Sequence, residues 1–153
     1  MEGCLACDLS TGLHPLPSGL IHRSDFWFVE HCVGPLGLGT LIVKPERHVT
    51  SVADLTPAEA AELGPLLRRA SQVARELVQA EQVYNCLWSH VGKAPVHIHY
   101  VIQPVTADQL THFGIHGPAL QVAMFAGGDT PDPDDVERVA DAARARFSTP
   151  ETA

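Results

Sequence analysis

Pro95-Val96-His97-Ile98-His99-Tyr100-Val101-Ile102 is the stretch on which the reading of this chain turns. It alternates histidine with β-branched and aromatic residues, which is the pattern of a strand. In an extended chain, residues two apart point to the same face about 6.5–7 Å from each other. His97 and His99 therefore project side by side, while Ile98 and Tyr100 face the opposite layer. One histidine on a strand is usually a satisfied core residue. Two on one face, next to the Gly-containing turn Ser89-His90-Val91-Gly92-Lys93-Ala94-Pro95, mark a site. A neutral imidazole can attack phosphorus or act as a general base near neutral pH.

Outward from this strand, Val83 to Trp88 reads as a second strand, and the turn between the two favours antiparallel pairing. Thr56-Pro57-Ala58-Glu59 upstream has the capping-box pattern with proline at the first helical position. Leu63, Leu66, Leu67, Ala70, Val73 and Leu77 recur at helical spacing, which predicts a long helix to about residue 80. Phe26-Trp27-Phe28-Val29-Glu30 and Thr40-Leu41-Ile42-Val43 read as strands, the latter stopped by Pro45, with a Gly/Pro turn at 34–39 between them. Residues 3–19 read as a loop with a possible knuckle, and 106–131 as irregular with a short strand at Leu120 to Phe125. Asp132-Pro133-Asp134-Asp135 starts a final helix with Arg144 and Arg146 in its last turn. The order of strands, helix, strands, helix predicts an α+β domain with an antiparallel sheet, spanning residues 1–153 as one unit.

Composition narrows the function. The chain has 153 residues, 45% of them hydrophobic and 18% charged, with a net charge of −8 and only 10 Lys and Arg. No basic face for nucleic acid is visible, and no apolar run approaches the ~18–20 residues that span a bilayer. Met1-Glu2-Gly3-Cys4 lacks the basic and apolar regions of a secretory signal, so the expected address is the cytoplasm. An anionic ligand must then be held by local dipoles, backbone amides and histidine. Nine His and four Cys point to metal or thiol chemistry before disulfides. Cys4 and Cys7 have the spacing that lets two sulfurs reach one ion; ordinary thiols or a redox pair are the alternatives. His48, after a strand end, and His97 are candidates to complete the set.

The His97-Ile98-His99 strand resembles the histidine-triad motif. Gly39-Thr40-Leu41-Ile42-Val43-Lys44-Pro45-Glu46-Arg47-His48 is similar to that family's strand followed by Pro-x-x-His. The helix led by Asp54-Leu55-Thr56 follows in the same order, and an N-terminal Cys-x-x-Cys occurs in bacterial members and in galactose-1-phosphate uridylyltransferases. The resemblance covers about residues 3–104 and leaves 105–153 as a family-variable extension. It implies a histidine-triad-like antiparallel sheet with a long central helix and a C-terminal helix, and a homodimer. Cys4, Cys7, His48 and His97 become ligands of a structural zinc, and His99 the nucleophile toward the α-phosphorus of a nucleotide, with Gln103 as a helper in the third place; His90, from its position in the turn before the strand, is a candidate for proton transfer. Dinucleoside polyphosphates and phosphoramidates are the implied substrates. For ligand binding the resemblance implies Cys32, where the family has a ribose-binding Asp, and Ala94, in place of a Ser hydroxyl; from their own chemistry Phe28 reads as a base-stacking candidate or an aromatic core residue, and Lys93 as a phosphate contact or a solvated turn lysine. Val101 replaces the third strand histidine, and Thr40 stands where His is frequent. Two rival readings remain: a zinc-stabilised nucleotide sensor without turnover, and a hydrolase whose zinc keeps an open position for water.

Overall fold

The computed structural model describes residues 3–91 and 94–149, without the side chains of 91, 94 and 95. Five strands form one antiparallel sheet: β1 (Leu20–Arg23), β2 (Trp27–His31), β3 (Leu41–Pro45), β4 (Gln82–Val91) and β5 (Ala94–Val105), in the order β1-β2-β3-β5-β4. The helices are α1 (Leu5–Thr11), α2 (Pro57–Val78), α3 (Ala107–Phe113), α4 (Pro118–Gly127) and α5 (Pro133–Ser148). The architecture is α+β, with the long central helix and the C-terminal helix that the sequence predicts.

Alternation along the strands assigns the two faces. Trp27 and Val29 of β2, Leu41 and Val43 of β3, and Ile102 of β5 pack with Leu66, Ala70 and Val73 of α2 and Ala140, Ala143 and Phe147 of α5. The alternate residues face the other way. There Ile42 and Val101 meet Leu36 and, from α4, Leu120 and Met124. The histidine strand lies second from the edge, paired to β3 through Val43–Tyr100 and Ile42–Val101. His97 and His99 thus emerge on the face that α2 and α5 do not cover.

The start of α2 is fixed by a double cap. Glu59 N–H donates to Thr56 Oγ1 (3.3 Å) and Thr56 N–H donates to Glu59 Oε2 (2.7 Å), with Pro57 in the first turn. Arg47 donates to both oxygens of the same carboxylate, at 2.9 and 2.8 Å. The cap is therefore also the tie between α2 and the segment that leads to His48.

Three expectations change. Residues 3–19 hold a seven-residue helix, α1, which Gly12 ends in the left-handed region at φ 77°. The Leu120 to Phe125 run is helical, not a strand: Pro118 opens it, Gly128 closes it with φ 74°, and Leu120 and Met124 are spaced to share a buried face. Short apolar runs do not distinguish helix from strand by period alone. Residues 107–113 are likewise helical, with a Thr56-like capping box at Thr106 and Gln109. β1 was not anticipated; it is four residues long and a register shift interrupts its pairing to β2.

Candidate metal centre and adjoining pocket

Cys4, Cys7, His48 and His97 come together from three places: the N-terminus of α1, the segment after β3, and β5. One ligand atom from each lies within 4.8 Å of every other. Cys7 Sγ is 3.3 Å from His48 Nδ1 and 3.4 Å from His97 Nδ1. A tetrahedral zinc with ordinary Zn–S and Zn–N bonds holds sulfur and nitrogen about 3.5 Å apart. His97 Nε2 donates to the carbonyl of Pro45 at 2.9 Å, which leaves Nδ1 unprotonated and facing the cluster, the outer-shell arrangement that orients a metal-bound imidazole. Burial pulls His97 down to about 4 with help from the charges of His48, Lys44 and His99, against the Pro45 bond, so it stays neutral at pH 7. Burial, and then the adjacent Cys4, push the Cys7 thiol up; a cation there would favour the thiolate. Donor chemistry, spacing and tautomer all fit zinc.

Beside the cluster lies a cavity of about 540 Å³, within the range of small-molecule sites. His97 and His99 form part of one wall. His99 Nδ1 donates to the His97 carbonyl at 3.1 Å, so its Nε2 carries the lone pair. Burial first, then the charge of Lys44, lowers the His99 pKa against that bond, which favours the neutral ring. Trp88 stands next to it with ring centroids 6.2 Å apart, and Trp88 Nε1 donates to Gln121 of α4 at 3.1 Å. The wall is otherwise mostly apolar, with Leu5 and Leu9 from α1, Val33 and Leu36 from the β2–β3 loop, and Phe125 from α4. Residues beyond 105 thus build part of the cavity.

Cys32 lines the cavity, its thiol pushed up to about 11 by burial against the Gly34 N–H bond of 3.3 Å. Three other positions expected in the site, Phe28, Gln103 and His90, stand outside the cavity wall. Phe28 is buried on the same side of β2 but outside the cavity wall, under the guanidinium of Arg23 at 5.4 Å. Gln103 is fully buried, and its amide donates to the Leu36 carbonyl (3.1 Å) and to Met124 Sδ (3.0 Å). His90 is exposed on β4, with Nδ1 3.4 Å from Ser89 Oγ. Lys93 and the Ala94 side chain lie outside the described residues.

Two charged cavity residues have no counterpart among the site residues expected from the sequence: Glu30 and Lys44. They form a buried ion pair at 2.8 Å, with side chains 4% and 0% exposed. The signal was present as two opposite charges at inward positions of otherwise apolar strands. Only the β2–β3 register, in which Glu30 pairs with Ile42 and Phe28 with Lys44, shows that they are diagonal neighbours.

No family model matches the sequence. Among solved structures, the chain is similar to a zinc-bound histidine triad family protein from Mycobacterium smegmatis, with 19% identity over 95% of each chain and a TM-score of 0.67. It is also similar to a Hit-like protein involved in cell-cycle regulation from Bartonella henselae, with 15% identity, 95% and 98% coverage and a TM-score of 0.69. A histidine triad nucleotide-binding protein from Sulfolobus tokodaii gives 16% identity, 94% and 91% coverage and a TM-score of 0.69. The fold is that of histidine triad proteins. On this fold the chain carries a Cys4-Cys7-His48-His97 cluster able to hold a metal ion.

Proposed function

We propose that this chain is a zinc-braced nucleotide-binding protein of histidine triad type, whose pocket takes a nucleoside phosphate with its phosphate against His99. The observation that carries the reading is the shared wall. His97 belongs to the metal cluster and to the cavity, and His99, two residues on, sits in that cavity beside it. Zinc held by four protein ligands supplies bracing of the β5 strand rather than an open position for water. The pocket is apolar enough for a base and sugar, with the His99 imidazole and the Glu30–Lys44 ion pair as polar features of its wall. The thiolate ligands suit a reducing compartment, in keeping with a cytoplasmic address. No helix among the described residues is long and apolar enough to cross a membrane.

Turnover is the second reading, and the tautomer of His99 favours it. With Nδ1–H held by the His97 carbonyl, the Nε2 lone pair is free to attack an α-phosphorus; an N–P bond forms, the P–O or P–N bond to the leaving group breaks, and water later cleaves the nucleotidyl-histidine. The same wall argues for binding over rapid turnover. Val101, 1% exposed, has no proton to give a leaving group, and the Gln103 amide is engaged with Leu36 and Met124. A homodimer through the β4 edge is part of the proposal; β4 is a ten-residue edge strand and Leu87 on it is 41% exposed.

The test is incubation of zinc-loaded protein with dinucleoside polyphosphates and nucleoside phosphoramidates, with His99→Ala alongside and products resolved by chromatography. Nucleotide that binds and is recovered intact supports the binding reading. Product that vanishes in His99→Ala supports turnover at His99. Neither binding nor product from a folded, zinc-loaded protein refutes both.

A further inference from the structure

The helix α1 is only seven residues long, too short to hold its shape alone, yet it supplies Leu5, Ala6 and Leu9 to the cavity wall. Among the described residues, the hydrogen bonds that tie residues 4–11 to anything beyond residue 20 are few. Cys7 Sγ contacts His48 and His97, and Lys44 Nζ donates to the Ala6 carbonyl at 2.8 Å. The first fastening is the metal clip. The second is a fully buried lysine, whose ammonium also lies 2.8 Å from each carboxylate oxygen of Glu30 and donates to Oε1.

A buried ion pair is a poor source of stability. Removing two charges from water costs several kcal/mol per ion, and well-packed apolar residues of similar volume are often as stable or more so. What this pair adds is direction. Val43 pairs with Tyr100, so Lys44 and His99 leave neighbouring strands on the same face. The lysine head reaches from the side of His99 to the Ala6 carbonyl between the two cysteines, and joins the floor of the cavity to its outer wall.

We propose that Lys44, charge-balanced by Glu30, is a positioning residue of the pocket: by holding the Ala6 carbonyl it sets α1 as the outer wall, so that ligand affinity depends on this ion pair as well as on the metal clip. The inference rests on the nucleotide-pocket reading for its ligand arm alone. The role of Lys44 in docking α1 stands apart from it.

The test is the double variant Glu30→Leu/Lys44→Met, which replaces both charges by apolar groups of similar volume and strands neither. Zinc content, melting temperature, amide hydrogen exchange of residues 5–11 and affinity for adenosine and guanosine 5′-monophosphate are measured against the parent. We expect one zinc per chain, a melting temperature no lower than the parent's, and exchange in α1 and nucleotide Kd each raised about tenfold, the weight of one hydrogen bond from a charged donor. A purely structural pair would change the melting temperature and leave α1 and Kd alone; that result overturns the proposal, as does failure of the zinc-loaded variant to fold. A second measurement uses zinc-stripped proteins. With Lys44 intact, α1 exchange stays slower than in the stripped double variant, and equal rates overturn the proposal. If the parent binds neither nucleotide, the functional reading fails while the exchange arms still decide the role of Lys44.

Discussion

Glu59→Gln isolates one carboxylate that does three jobs at the start of α2. Its oxygens accept from the Thr56 N–H and from two nitrogens of Arg47, at 2.7–2.9 Å, and the residue is 5% exposed. Glutamine keeps the shape and one acceptor oxygen but loses the charge and the second acceptor. A hydrogen bond to a charged group contributes about 1.5–3 kcal/mol, and the half-exposed Arg47 places this one at the low end, near 1.5 kcal/mol. For a chain of this size each kcal/mol moves the melting temperature by about 2–4 °C, so we expect a fall of about 3–6 °C at pH 7. Acid gives the sharper signature. The Arg47 bonds, with those of Thr56, hold the Glu59 carboxyl at about 2 against the opposing effect of burial, while its ordinary value is 4.5. A depressed carboxyl pKa stabilises the fold above the unfolded value, and that contribution is lost as pH falls from 4.5 toward about 2. The gap between parent and variant, read by urea unfolding, should be full at pH 7 and shrink steadily from pH 4.5 to 3. A gap that stays constant on acidification, or one under about 0.5 kcal/mol at pH 7, would refute the assignment.

Two further outcomes follow from the same contacts. His31 is buried with Nδ1 donating to the Cys32 carbonyl and Nε2 accepting from Gly39 N–H, so it must be neutral; burial lowers its pKa below 6.5 against the Cys32 bond. The unfolded chain therefore takes up the proton first, stability falls as pH drops below 6.5, and His31→Gln should flatten that slope in unfolding curves between pH 5 and 6.5. Cys7→Ser removes a soft ligand from the cluster: zinc at a hundred times its Kd should stabilise the parent by about 2.7 kcal/mol, and the same zinc concentration should leave the variant's melting temperature almost unchanged.

Much of the fold was legible because period and caps agreed. Thr56, Pro57 and Glu59 marked the α2 start, and Asp132 with Pro133 marked α5. The period-2 alternation of 96–102 placed His97 and His99 on one face, as found. Cys4, Cys7, His48 and His97 converge although 93 positions separate the outermost two, which spacing alone does not require and the family resemblance did imply. What sequence missed lies where local signals are weak or contacts are long-range. The helix at 118–127 hid in a short apolar run, α1 is too short for a period, and the Glu30–Lys44 pair exists through register. Gln103 shows the converse. It lies on the expected face, yet the β2–β3 loop carbonyl of Leu36 engages its amide.

The central claim is that the cavity beside the metal cluster binds a nucleoside phosphate through His99. Its most direct test is calorimetric titration of zinc-loaded protein with nucleoside monophosphates, with His99→Ala in parallel and zinc content matched. We expect saturable binding at one site per chain, weakened about tenfold or more when the imidazole is removed. Absence of binding, or equal affinity in the two proteins, would contradict it.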